Sequence, residues 1–383
     1  MKRIELARIA LLVLIVFIGL GLSEIVLRIF TNDPYKVLVE DKPISVFSSS
    51  NASNQSVNFY RESQNTLLLY EHNPNMVAVF NRTIGKESRL LTFETNSFGL
   101  RDKEYTLKKP EKTYRILVFG DSVTAGNGLN LNETVSKVLE SFLNNDNELK
   151  ERRKIKKFDV INFGVSGYNV VQETNLLISK GLSFSPDLII INYVLNDVDY
   201  SHRLGTENQE KNNEVRPPAC FATFLKIKIP CSLKRSLKKI RFAALLNKFI
   251  TKLFNRENID LISDLNRNHQ PDSATFLQLK QSYQKISNLS LQNNFMVIVM
   301  IFPYFLSLQN YPLMQAHENV KAEAEKNNFY AIDLLKTYEK CNSAQLRITS
   351  DDVTHPNAEG HYLAALELFK NIKSLPLSSN KLV

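Results

Sequence analysis

The sequence predicts an α/β domain in which a parallel β-sheet is covered by helices on both faces, preceded by an N-terminal transmembrane helix and interrupted by a helical insertion. Three observations carry this. From Tyr114 onward short apolar runs alternate with helical stretches, the pattern of parallel strands joined by helical crossovers. The runs are rich in Ile, Val, Leu and Phe with little polar alternation, as strands buried on both faces require. The first thirty residues stand apart as a basic start followed by an apolar stretch.

In chain order, Met1-Lys2-Arg3 and Arg8 lead into an uncharged run from Ile9 to Ser23, and apolar residues resume at Ile25 after Glu24. As a helix, Ile9 to Phe30 would reach roughly 33 Å at ~1.5 Å per residue, enough to cross a bilayer. The uncharged part also suits a cleaved signal peptide, with Gly19-Leu20-Gly21 or Gly21-Leu22-Ser23 as a small-x-small site. An uncleaved anchor is the preferred reading, because the apolar pattern continues past both sites and the basic start predicts a cytoplasmic N-terminus. The expectation is a single-pass protein of the cell membrane with its catalytic domain on the extracytoplasmic, periplasmic side, or a secreted one if the segment is cleaved.

Residues 31–60 include the polar stretch Phe47 to Ser56 and read as linker or loop. Leu67 to Tyr105 reads as short strands and turns, which makes 31–113 a linker and accessory region. The domain at 114–383 is expected to hold strands at Arg115–Phe119, Phe158–Phe163, Asp187–Tyr193, Phe295–Phe302 and Phe329–Leu334. Helices are expected at Glu133–Asn144, Val170–Lys180, Ser273–Gln292, Met314–Asn327 and Ala358–Lys373. Residues 201–270 break the alternation with a basic segment in which Phe242, Leu246, Phe249 and Leu253 recur at helical spacing. An insertion packed on the core with a solvated charged face is preferred to a cap helix over the site or on the membrane.

With 383 residues, 43% apolar and 23% charged, the chain has ample material for a full core, which excludes a disordered protein. The net charge of +9 points to an anionic membrane surface or polysaccharide rather than to nucleic acid, given the export signal. Of three cysteines, Cys220 and Cys231 are close enough in sequence to pair in an oxidising compartment; three unpaired thiols is the equal alternative.

Chemistry is concentrated at strand exits. Gly120-Asp121-Ser122 follows the first apolar run, and Asp352-Val353-Thr354-His355 lies far downstream. A serine hydroxyl becomes a nucleophile when an imidazole takes its proton, and a carboxylate fixes that imidazole's tautomer and stabilises its charge. Thr124 stands where a Gly-x-Ser-x-Gly elbow needs glycine, which disfavours the α/β-hydrolase turn. A second strand exit carries Gly164 and Gly167, whose backbone N–H groups can approach an oxyanion closely, and a third carries Asn196-Asp197. Asp121 and Asp197 are expected to bond backbone at the strand exits. Arg101 reads as a surface salt bridge rather than a substrate anchor. The histidines at 202, 269, 317 and 361 are scattered singly, so no metal-ligand cluster is read, and the chemistry calls for no metal or cofactor.

In this order the four segments resemble the SGNH (GDSL-type) hydrolase superfamily over about Tyr114 to Phe369, the insertion excepted. An anchor followed by Asn96 to Arg101 is also similar to membrane-tethered bacterial members. The resemblance implies a flavodoxin-like three-layer α/β/α fold with a site open to solvent. It assigns Ser122 as nucleophile, Gly167 and Asn196 with the Ser122 N–H as oxyanion donors, and Asp352 and His355 as acid and base. Two positions depart from its pattern: Val123 replaces a leucine, and Val194 replaces a glycine two residues before Asn196, where a side chain would narrow the acyl site or tilt Asn196.

The expected function is a serine esterase cleaving carboxylic esters, such as O-acetyl groups of envelope glycans or lipid esters. An O-acyltransferase acting on an envelope polysaccharide and a catalytically inert envelope binding protein on the same fold are the alternatives. Sequence names no protein partner.

Overall fold

The computed structural model describes residues 45–48, 59–84, 87–198, 221–224, 227–230 and 256–375. The expected anchor, Cys220, Cys231, His202 and the amphipathic pattern Phe242–Leu253 lie outside them. Among the described residues no helix is long and apolar enough to cross a membrane.

The chain clusters into two units, a larger one of Pro43–Leu204 with Ile262–Val383 and a smaller one of Met1–Lys42 with Gly205–Leu261. In the larger unit, strand β1 (Ser45–Ser48) is followed by the antiparallel pair β2 (Tyr60–Glu62) and β3 (Tyr70–His72). The strands β4 (Met76–Ile84) and β5 (Glu87–Glu94) come next and join β1 in an antiparallel sheet ordered β1-β4-β5. The segment expected as linker therefore includes a strand: Ser45–Ser48 pairs with Met76–Val79. Its composition is too polar to announce a strand, and pairing with a neighbour supplies what propensity does not.

The core sheet comprises β6 (Thr113–Gly120), β7 (Lys157–Asn162) and β8 (Leu188–Val194). After the smaller unit's antiparallel hairpin, β9 (Phe221–Phe224) and β10 (Ile227–Pro230), it is completed by β11 (Met296–Phe302) and β12 (Tyr330–Asp333). The hairpin adds two strands to the stretch read as a helical insertion at about 201–270. The number of lysines obscured the period of two in Ile227-Lys228-Ile229, which suits a strand.

All five core strands are parallel, in the order β7-β6-β8-β11-β12. Every residue of β8 and of β11 is buried, which is why both read as unbroken apolar runs. The five expected strands and five expected helices are all present, each boundary within two residues of its sequence reading. The helices are Val135–Asn145, Val170–Ser179, Ala274–Asn293, Met314–Lys326 and Ala358–Ser374. Asn169, Ser273 and Asn357 cap three of them by accepting backbone N–H bonds.

Right-handed crossovers put the helix between β6 and β7 on one face and those leading to β8, β11 and β12 on the other. Accordingly Val135–Asn145 packs on Ala358–Ser374, and Val170–Ser179 on Ala274–Asn293. The chain leaves β6 outward to β7 and returns across it to β8. That reversal opens a crevice at the carboxyl ends of β6 and β8, the usual ligand position in such sheets.

Candidate active site

β6 ends at Gly120, and Ser122 opens a short helix, Ser122–Ala125, directly after it. A side chain at Gly120 would meet Thr124 Oγ1 at 2.1 Å, so the tight strand-to-helix turn requires glycine. Asp121 caps the helix, its Oδ1 accepting the Val123 N–H at 2.9 Å.

Arg101 braces the far end of this helix and is neither a surface salt bridge nor a substrate anchor. It is 2% exposed. Its guanidinium donates to the carbonyls of Ala125 (2.5 Å), Gly126 (2.6 Å), Leu129 (2.6 Å) and Thr92 (3.1 Å). The carbonyls that end a helix lack partners within it, and here one buried cation supplies them. Burial lowers the Arg101 pKa to about 10, and the charges of Glu133 and Glu94 act against that.

Asp352 and His355 stand on the loop before Ala358–Ser374. His355 Nε2 lies 2.8 Å from Ser122 Oγ, and His355 Nδ1 lies 2.8 Å from Asp352 Oδ2. The other oxygen of Asp352 accepts the backbone N–H groups of Thr354 and His355, each at 2.9 Å. Burial pushes the Asp352 carboxyl up, but the hydrogen bond and charge of His355 and these two N–H groups outweigh it and hold the pKa at about 2. An ionised carboxylate only accepts, so Nδ1 carries the ring proton and the Nε2 lone pair faces the serine. The loop is pinned by Phe305 N–H donating to Val353 O at 2.7 Å and Ile348 N–H donating to His355 O at 3.0 Å.

The other two segments carry Gly167 and Asn196. Gly167 has φ +80° in a turn closed by Tyr168 N–H donating to Val165 O at 3.1 Å. Asn196, just past β8, donates from Nδ2 to Asp121 Oδ2 at 2.9 Å. Because that carboxylate oxygen accepts, the bond fixes which side of the amide carries the N–H groups. Asp197 Oδ2 accepts the Val194 N–H at 2.7 Å, so both aspartates bond backbone at the strand exits as expected. Val194 is fully buried.

A profile of the GDSL-like Lipase/Acylhydrolase family matches residues 118–363, which include all five of these positions. The chain belongs to this family. No curated protein matches the chain. Among solved structures, this GDSL-like hydrolase is similar to an acetylxylan esterase from Geobacillus stearothermophilus, Axe2, at 13% identity and TM-score 0.42, covering 70% of this chain and 97% of that one. It is similar to the acetyl xylan esterase AlAXEase at 15% identity and TM-score 0.38, covering 67% and 99%. TesA matches at 13% identity and TM-score 0.40, covering 68% and 98%.

The hydrolase also contains polar groups that sequence reading missed. Glu173, on Val170–Ser179, is buried, and neither carboxyl oxygen has a hydrogen-bond partner among the described residues. Burial first, then the Asp121 charge, raises its pKa. Asp197 is buried beside it and pushed the same way by burial and by the charges of Glu173 and Asp121. A glutamate in the first turn of a helix looks like an ordinary dipole partner, so nothing local announces its burial. His361 is buried, with Nδ1 accepting the Val135 N–H at 3.1 Å, and burial takes its pKa down to about 3.

Proposed function

We propose that the chain is a serine ester hydrolase in which Ser122 is the nucleophile, His355 the base and Asp352 its orienting acid. The observation that carries this reading is the chain of two 2.8 Å contacts, Ser122 Oγ to His355 Nε2 and His355 Nδ1 to Asp352 Oδ2. Ser122 Oγ bonds to the ester carbonyl carbon while His355 Nε2 takes its proton, and the carbonyl electron pair moves onto oxygen. Asp352, held ionised, stabilises the imidazolium. The oxyanion is met by the N–H groups of Ser122 and Gly167 and by the second N–H of Asn196 Nδ2, whose first is engaged by Asp121. Collapse breaks the carbon–alkoxide bond, and His355 gives its proton to the leaving oxygen. Water then repeats the sequence on the acyl enzyme and releases the acid.

We assign the activity to the extracytoplasmic face of a membrane, on the strength of the basic and apolar first thirty residues. Ester groups of envelope glycans or lipids are the substrates within reach there. The full chain in mild detergent is to be incubated with p-nitrophenyl acetate and octanoate beside Ser122→Ala. Turnover lost in the variant supports the reading, and the preferred chain length separates deacetylation from lipolysis. Absence of turnover in folded wild type overturns simple hydrolysis, and turnover that needs an added glycan acceptor would mean acyl transfer.

A further inference from the structure

The peptide joining Ser166 to Gly167 has both of its polar ends placed by the fold. Its N–H, on Gly167, is one of the oxyanion donors of the reading above, on which this inference rests. Its carbonyl, on Ser166, accepts a 2.8 Å hydrogen bond from the hydroxyl of Tyr70, which lies on β3 in the accessory region. In a trans peptide the C=O and N–H point in opposite directions. A donor that holds the carbonyl from one side therefore aims the N–H to the other.

The turn gives that anchor something to decide. Val165 to Tyr168 is closed by its i to i+3 bond, with φ +80° at Gly167 and no positive φ at Ser166, which makes it a type II turn. A type I turn over the same four residues differs by a flip of the central peptide, and glycine accepts either sign of φ. Sequence alone therefore permits two orientations of the Gly167 N–H, only one of which can face the oxyanion.

Tyr70 is itself held in place. The hydroxyl of Tyr168 donates to the Tyr70 carbonyl, and the two rings meet edge to face at 5.3 Å. Tyr60 also meets the Tyr70 ring edge to face at 5.1 Å. A side chain at Gly167 would meet the Tyr70 hydroxyl at 2.8 Å, so the phenol closes the space beside that α-carbon. Burial, then Tyr60 and Asp121, raise the Tyr70 pKa, so the hydroxyl stays a donor across the working pH range.

We propose that Tyr70 is a positioning residue for catalysis, whose hydroxyl holds the Ser166 carbonyl so that the Gly167 N–H points into the oxyanion hole. The accessory region is then part of the catalytic apparatus and not a tether alone. A hydrogen bond accepted at the carbonyl also polarises the same peptide and strengthens its N–H as a donor.

The test is steady-state kinetics of the full chain on p-nitrophenyl acetate, with wild type beside Tyr70→Phe and Tyr338→Phe. Tyr70→Phe keeps the ring and is expected to lose kcat by about 10- to 100-fold, less than removal of a whole oxyanion donor, with KM within about twofold. Tyr338→Phe removes a buried hydroxyl-to-carbonyl bond of the same kind, 2.7 Å to Gly360 O, but leaves the Ser166 carbonyl paired, and is expected to keep kcat within about threefold. Unchanged kcat in Tyr70→Phe overturns the proposal, as do equal losses in both variants that track a fall in melting temperature. If wild type hydrolyses no ester, the esterase reading fails and the crystal structure of Tyr70→Phe decides orientation. A negative φ at Gly167 then supports the proposal, and a φ still near +80° overturns it.

Discussion

Asp121 Oδ2 accepts a 2.9 Å hydrogen bond from Asn196 Nδ2 and so ties the exit of β6 to the exit of β8 across the crevice where the strand order reverses. The same carboxylate caps the helix that Ser122 opens. One aspartate thus sets the helix that Ser122 opens and the neighbouring amide in a common frame.

Asn196→Ala is expected to lower kcat by about 10²- to 10³-fold with little change in KM, as loss of a side-chain oxyanion donor does. Asp121→Asn leaves Asn196 present but removes its charged acceptor, and a smaller loss, about tenfold, is expected. Steady-state kinetics on one ester checks both, and a larger loss in Asp121→Asn than in Asn196→Ala would contradict the frame described above.

Asp352→Asn is expected to lower kcat by about 10⁴-fold, because an amide at this position favours the wrong imidazole tautomer. The folded protein holds the Asp352 pKa at about 2, below its ordinary value of 3.8, so the carboxylate's contribution to stability is complete above that value and is lost as pH falls through about 2. The melting-temperature gap between wild type and Asp352→Asn should therefore close between about pH 4 and 2.

Glu173 gives the opposite sign. Its pKa is raised on folding, so the folded chain binds the proton more tightly and loses stability as pH rises from the unfolded value of about 4.3. Glu173→Gln removes that titration. Thermal melts should show the variant gaining on wild type as pH rises above about 4. A constant difference across that range would mean that Glu173 is ionised in the fold.

Arg101→Met strips the carbonyls of Thr92, Ala125, Gly126 and Leu129 of their shared donor in a buried site. A loss of at least about 3 kcal/mol is expected in urea unfolding. Arg101→Lys should recover little of it, since an ammonium group lacks the planar fork that reaches several carbonyls at once.

The sequence by itself determined the elements whose patterns are local. β8 and β11 are unbroken apolar runs because both faces of each strand are covered, and burial on both faces leaves a mark at every residue. The positions of Ser122, Gly167 and Asn196 at strand exits followed from the same runs, and the Asp352–His355 spacing is local as well. Tertiary structure decided what depends on a distant partner. Ser45–Ser48 is a strand through its pairing with Met76–Val79. Arg101 is buried because four carbonyls converge on it, and Glu173 is buried with no hydrogen-bond partner among the described residues although its helical position is unremarkable in sequence. Tyr70 meets Ser166 across 96 residues of chain. Such contacts are made by side chains folded together from separate segments, and no period or spacing within one segment encodes them.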